Sequence, residues 1–77
     1  MNNIDDVILH MGDNFVSLTR NLGMYHAAGI FKTPGKTKKS KQQEVKYFGG
    51  KTPLEAVTEL NNQLLKHNAY LIKIGRI

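Results

Sequence analysis

Cysteine is absent from this chain of 77 residues, which excludes a disulfide framework, thiolate zinc sites and thiol catalysis together. A reducing compartment suits such a chain. The N-terminus lacks the basic start and long apolar core of a secretory signal, and no run approaches the roughly 18 apolar residues of a membrane span. A cytoplasmic protein is therefore expected. No lipidation motif or apolar stripe offers a second anchor, so a basic run by itself does not predict a membrane partner. Internal repeats are missing too. Acids are few: six Asp and Glu stand against eleven Lys and Arg, for a net charge of +5. A chain this short makes one domain, here residues 1–77, and buries only about 60% of the surface its unfolded form exposes, so its core is marginal.

What the sequence does have is lysine, and it is concentrated. Lys32, Lys36, Lys38, Lys39, Lys41, Lys46 and Lys51 fall within twenty residues that hold one acid, Glu44, whereas residues 1–19 carry Asp5, Asp6 and Asp13 and no Lys or Arg. The lysines between 33 and 43 are interleaved with Thr, Ser, Gly, Pro and Gln, so this stretch reads as a flexible basic loop and not as a buried element. Charge packed this densely points to an anionic partner. A solvated loop that only keeps a marginal domain soluble is the plainer reading, yet scattered mixed charges would serve that purpose equally well. Lysine in place of arginine favours loose contact with phosphates over bidentate reading of bases.

Hydrophobic periodicity supplies the elements around this loop. Ile4, Val7, Ile8 and Met11 repeat on one helical face, with Asn3 as cap, Asp5 and Asp6 at the positive end of the dipole and Gly12 as stop. Phe15 to Leu22 and Met24 to Lys32 read as a β-hairpin turning at Asn21-Leu22-Gly23. Thr33-Pro34-Gly35-Lys36 fits a type II turn that opens the loop. Glu44 to Phe48 reads as a third strand closed by Gly49 and Gly50. Thr52-Pro53-Leu54-Glu55 is a capping box with proline at the first helical position. It starts a helix whose apolar stripe is Leu54, Ala56, Val57, Leu60 and Leu64, ending near His67-Asn68. Ala69 to Ile77, rich in Ile, Leu and Tyr, predicts a last strand. The expected class is α+β: a short N-terminal helix, a small antiparallel sheet of three to four strands and one main amphipathic helix packed on it, in the order α-β-β-β-α-β.

Few residues point to chemistry. Gly50-Lys51-Thr52 at a helix start shares three positions with a phosphate-binding loop, but Val45 stands where that motif needs glycine and Pro53 removes an amide the cradle would use. Helix capping accounts for these residues, and the remaining possibility is one backbone phosphate held by the helix start with Lys51. His10, His26 and His67 follow no metal-ligand spacing. His67 is expected near a helix C-terminus, and His26 in the hairpin is a candidate general base without a serine, aspartate or second histidine placed beside it. Tyr25, Phe31, Tyr47 and Phe48 fall on strands. Tyr25 and Phe31 share one face, whereas Tyr47 and Phe48 point oppositely, so only one of that pair belongs to a core.

The sequence therefore predicts no enzyme, no metal and no cofactor. It predicts a binding protein whose Lys32 to Lys51 surface engages nucleic acid or a nucleoprotein with weak sequence selectivity. The alternative is a small regulatory or inhibitory module for an acidic protein surface, in the manner of a phage or mobile-element accessory factor such as an inhibitor of a nucleic-acid-guided defence complex. The apolar stretch 69–77, read as an edge strand, further predicts a homodimer that pairs through it.

Overall fold

The computed structural model describes residues 3–33 and 42–75. Helix α1 (Ile4–Met11) leads through a single 3-10 turn at Gly12–Asn14 into strands β1 (Phe15–Asn21), β2 (Met24–Thr33) and β3 (Gln42–Gly50), followed by helix α2 (Pro53–Lys73). The strands form one antiparallel sheet in the order β1-β2-β3. The order is α-β-β-β-α, an α+β fold with the main helix on one face of the sheet.

Local chemistry sets each boundary. At α1 the Asn3 side chain accepts from the Asp6 amide at 2.9 Å, and Gly12, at φ +58°, ends the helix. β1 and β2 join through a two-residue turn in which Leu22 and Gly23 both have positive φ, +53° and +77°. Such a turn matches the twist of the flanking strands, and glycine makes its second half easy. At α2 the Thr52 hydroxyl accepts from the Glu55 amide at 3.1 Å, while the Glu55 carboxylate accepts from the Lys51 amide at 2.9 Å. The Thr52 bond is the one a capping box predicts, whereas the Glu55 carboxylate reaches one residue further back, to Lys51 in place of the Thr52 amide.

Alternation along β2 divides the sheet into two faces. Ala27 and Phe31 turn toward α2 and join Val7, Met11, Ala56, Val57, Leu60 and Leu64 in the core, with Phe15, Leu18, Tyr25 and Phe48 packed around them. Gly29 lies on the same face, where a Cβ would come 2.6 Å from the Leu60 side chain, so glycine is what lets the helix sit this low. The neighbouring positions point the other way. Cross-strand pairing puts Ser17, Ala28 and Tyr47 in one row of that second face, and Ile30 beside Val45 in the next. Phe48 is thus the core member of the Tyr47-Phe48 pair, and Tyr47 is exposed.

Several expectations need correction. The strand expected over Ala69 to Ile77 is not formed by the described residues 69–75: residues 69–73 continue α2, and Ile74 and Gly75 follow its end, the latter at φ +74°. No Pro or Gly interrupts the chain between Pro53 and Gly75, and Leu71 extends the buried stripe of Leu60 and Leu64 at helical spacing. Tyr70 and Ile72, 57% and 64% exposed, flank Leu71 at 2%. One buried residue among three neighbours is also what a strand would show, so composition alone misleads over so short a run. The proposed dimer contact thereby loses its strand edge, and self-association through this segment would be helix-face packing. His67 accordingly lies inside α2, not near its end. Leu54 is exposed, outside the core stripe.

Three residues of the expected loop 33–43, Thr33, Gln42 and Gln43, belong to strands. Thr33 pairs with Gln42 and Lys32 with Gln43, so the strands reach into it from both sides. Lys36, Lys38, Lys39 and Lys41 lie outside the described residues.

Candidate nucleic-acid interface

Strand β3 and helix α2 run in opposite directions along the same side of the sheet, and this sorts the charges. Gly49 and Gly50 lie beside Glu55 and Glu59 of the first helical turns, in one cleft. Lys46 lies beside Lys66, His67 and Tyr70 of the later turns, in another. The helix is therefore acidic where β3 ends and basic where β3 begins. The segment carrying Lys36, Lys38, Lys39 and Lys41 departs from Thr33 and rejoins at Gln42, its pairing partner, on the basic side.

The seven sequence-selected lysines are not equivalent in this frame. Lys32 is exposed, and its side chain points to the face opposite α2, since its neighbour Phe31 points into the core. Lys46 lies on the helix side of β3. Its Nζ sits 5.1 Å from the centre of the Phe31 ring and 3.9 Å from the Glu44 carboxylate. Both partners of that ion pair are largely exposed, so the pair adds little stability and leaves Lys46 available to a stronger anion. Lys51 is at the other end of β3, beyond Gly50, with the Glu55 carboxylate on its own backbone amide. At strand rise, Lys46 to Gly50 alone spans about 14 Å. Lys51 thus stands apart from the basic end, whereas Lys66, which the sequence reading did not select, belongs to it. No local signal marks Lys66; only the packing of α2 along β3 brings it beside Lys46.

His67 organises this end. Its Nε2–H donates to the Lys32 carbonyl at 3.0 Å, which sets the tautomer and leaves Nδ1 as an acceptor. The ring meets Phe31 edge-on, centroids 5.4 Å apart at 71°. β1 starts opposite Gly29, so Ile30 to Thr33 have β3 on one side and, among the described residues, no strand on the other. The histidine supplies one donor to that uncovered edge.

The other candidate features lie elsewhere in the fold. His10 Nδ1–H donates to Oδ1 of buried Asn61 at 3.3 Å and so ties α1 to α2. His26 is on the sheet face away from α2, its ring near Gly49 across the strand pair. The three histidines are thus on three different elements. Among the described residues no group of three His, Cys, Asp or Glu side chains is placed to hold a metal, and no helix is long and apolar enough to cross a membrane. At Gly50 a Cβ would meet the Ala56 nitrogen at 2.6 Å, which accounts for that glycine by close strand-helix contact. The Glu55 amide is taken by the Thr52 hydroxyl, and the Glu55 carboxylate lies on the Lys51 amide, so these residues cap the start of α2 and place a negative charge there. No protein-family model matches this chain, and no curated protein or solved structure matches it.

Proposed function

We propose that this protein is a non-catalytic nucleic-acid or nucleoprotein binder, and that its working surface is the basic end of the fold. The observation that carries this reading is convergence. Lys46 of β3 and Lys66 of α2 line one groove, and Lys32 stands at the same end on the opposite face of the sheet, where the four-lysine segment between Thr33 and Gln42 is attached. Phosphate contacts by lysine ammonium groups give affinity with little sequence selectivity. Lys36, Lys38, Lys39 and Lys41 contribute most of the charge, Lys32, Lys46 and Lys66 flank them, and Lys51 takes a minor part.

Anisotropy titrations against DNA and RNA at several salt concentrations test this. With about four phosphates neutralised, log K falls against log salt with a slope near −3 to −4, and changing Lys36, Lys38, Lys39 and Lys41 together to Ala abolishes most of that slope. Affinity that ignores salt, or no binding at low salt, overturns the reading. A protein-binding inhibitory module is the second reading, favoured by the exposed Val45 and Tyr47 on the sheet face away from α2. It becomes the better account if nucleic acid fails to bind and Tyr47→Ser abolishes a salt-tolerant protein complex.

A further inference from the structure

Within the basic end lies a groove between β3 and α2 of about 260 Å³, lined by Phe31, Lys46, Phe48, Lys66, His67 and Tyr70 together with Gln63. We infer that this groove is a subsite for one unstacked nucleotide of a single strand, its phosphate held by Lys46 and Lys66 and its base laid on Tyr70. This rests on the nucleic-acid reading above and names the form of nucleic acid that the same surface selects.

The lining divides by chemistry. Phe31 is buried and already engaged, edge-on by His67 and at 5.9 Å by Phe48, so it forms the floor. Tyr70 is exposed at the rim and presents a ring to a ligand. Exposed aromatic rings beside lysines are the parts from which single-strand sites are made, because every base has a π-face and every linkage a phosphate. Volume points the same way. At about 260 Å³ the groove is below the roughly 300–1,000 Å³ of sites for drug-sized ligands, and it suits one flat group and not a stacked pair. Bases in a duplex are paired and stacked and do not enter it.

The charges that face the groove do not oppose this. Among the described residues Glu44 is the one carboxylate paired with Lys46, at 3.9 Å, and Glu59 is held one turn away by the Gln63 amide at 2.7 Å. His67 keeps Nε2–H on the Lys32 carbonyl, and its Nδ1 remains an acceptor for a base amino group.

Labelled single-stranded oligonucleotides of about 12 nucleotides, and a duplex of the same length, are titrated against the wild type, Tyr70→Ala, Tyr70→Phe and a Lys46→Ala/Lys66→Ala double variant. The expected result is tighter binding of the single strand. Tyr70→Ala should weaken it by roughly 5- to 100-fold with the duplex affinity unchanged, from the stacking contribution of one base, and Tyr70→Phe should restore it. Tyrosine emission gives a second readout, since the chain has three tyrosines and no tryptophan: the quenching by the single strand should be lost in Tyr70→Phe and Tyr70→Ala alike, whereas binding itself is weakened only in Tyr70→Ala. Salt-dependent binding that is lost in the four-lysine variant, yet indifferent to strandedness and to Tyr70, overturns the groove and leaves the wider function standing. No binding of any nucleic acid overturns both.

Discussion

Leu22 and Gly50 show how single residues in this chain trade local comfort against geometry. Leu22 sits at φ +53° at the tip of the hairpin and is 95% exposed, so it makes no packing contact that would offset a left-handed backbone. A side chain with a Cβ costs roughly 1 kcal/mol there, and asparagine tolerates the conformation better. Leu22→Asn is therefore expected to stabilise the fold by about 0.5–1 kcal/mol, read as a higher denaturant midpoint at unchanged m-value. A lower midpoint would mean that Leu22 has contacts this structure does not give it. Gly50 is the reverse case. A methyl group there runs into the backbone nitrogen of Ala56 at 2.6 Å and the Glu55 Cβ at 2.8 Å, neither of which is a movable side-chain end. Gly50→Ala should cost about 1–3 kcal/mol, because the first turn of α2 has to shift away from β3. Urea unfolding beside Gly23→Ala, where open space surrounds the added atom, separates this clash from glycine's backbone freedom.

Helix α2 is the element on which the fold and the candidate site both depend. It spans 21 residues, about 31 Å at helical rise, and its first half covers the sheet while its second half carries Lys66, His67 and Tyr70 to the basic end. Val57, Leu60 and Leu71 are its fully buried anchors. Leu71→Ala is expected to cost roughly 2–4 kcal/mol through a cavity, against less than about 0.5 kcal/mol for exposed Ile72→Ala. Ala69→Pro, by contrast, should remove several kcal/mol or abolish folding, since a proline six residues beyond Gln63 breaks the ladder of a helix but is tolerated at the start of an edge strand. Equal losses at Leu71 and Ile72 with a harmless Ala69→Pro would return this segment to a strand. Circular dichroism and chemical denaturation on the same samples give the result. The losses named are large shares of the stability open to a domain of this size.

At the scale of the molecule, the seam between β3 and α2 has Glu55 and Glu59 toward one end, with Lys51, and Lys46 and Lys66 toward the other, with Glu44. On the proposed function, a polyanion would be drawn to the end that holds Lys46 and Lys66, and the lysines there would set the salt dependence. Lys66→Ala is expected to flatten the log K against log salt slope by close to one unit, while Lys51→Ala leaves it nearly unchanged. Equal effects at the two positions would show that the bound nucleic acid extends along the full length of β3. Their order could not be obtained from sequence, where Lys51 belongs to the lysine-rich stretch and Lys66 does not.

Features governed by neighbours in the chain were legible from the residues alone. Asn3 and Gly12 bound α1, Leu22-Gly23 turns the hairpin, Thr52 with Glu55 caps α2, and the alternation that separates Tyr47 from Phe48 holds in β3. Each follows from hydrogen-bonding and φ preferences acting over three or four residues. The concentration of lysine after Lys32 was equally plain, and it is what led to the proposal of an anionic partner. The tertiary structure decided the rest. Ala69 to Lys73 has strand-like composition and becomes helix because Leu71 finds a buried place one stripe on from Leu64, a gain that outweighs weak intrinsic preference. The grouping of Lys46 with Lys66, His67 and Tyr70, and the separation of Lys51 from them, arise because α2 doubles back along β3. Residues twenty positions apart in the chain become neighbours only through that long-range packing, and local preferences carry no record of it.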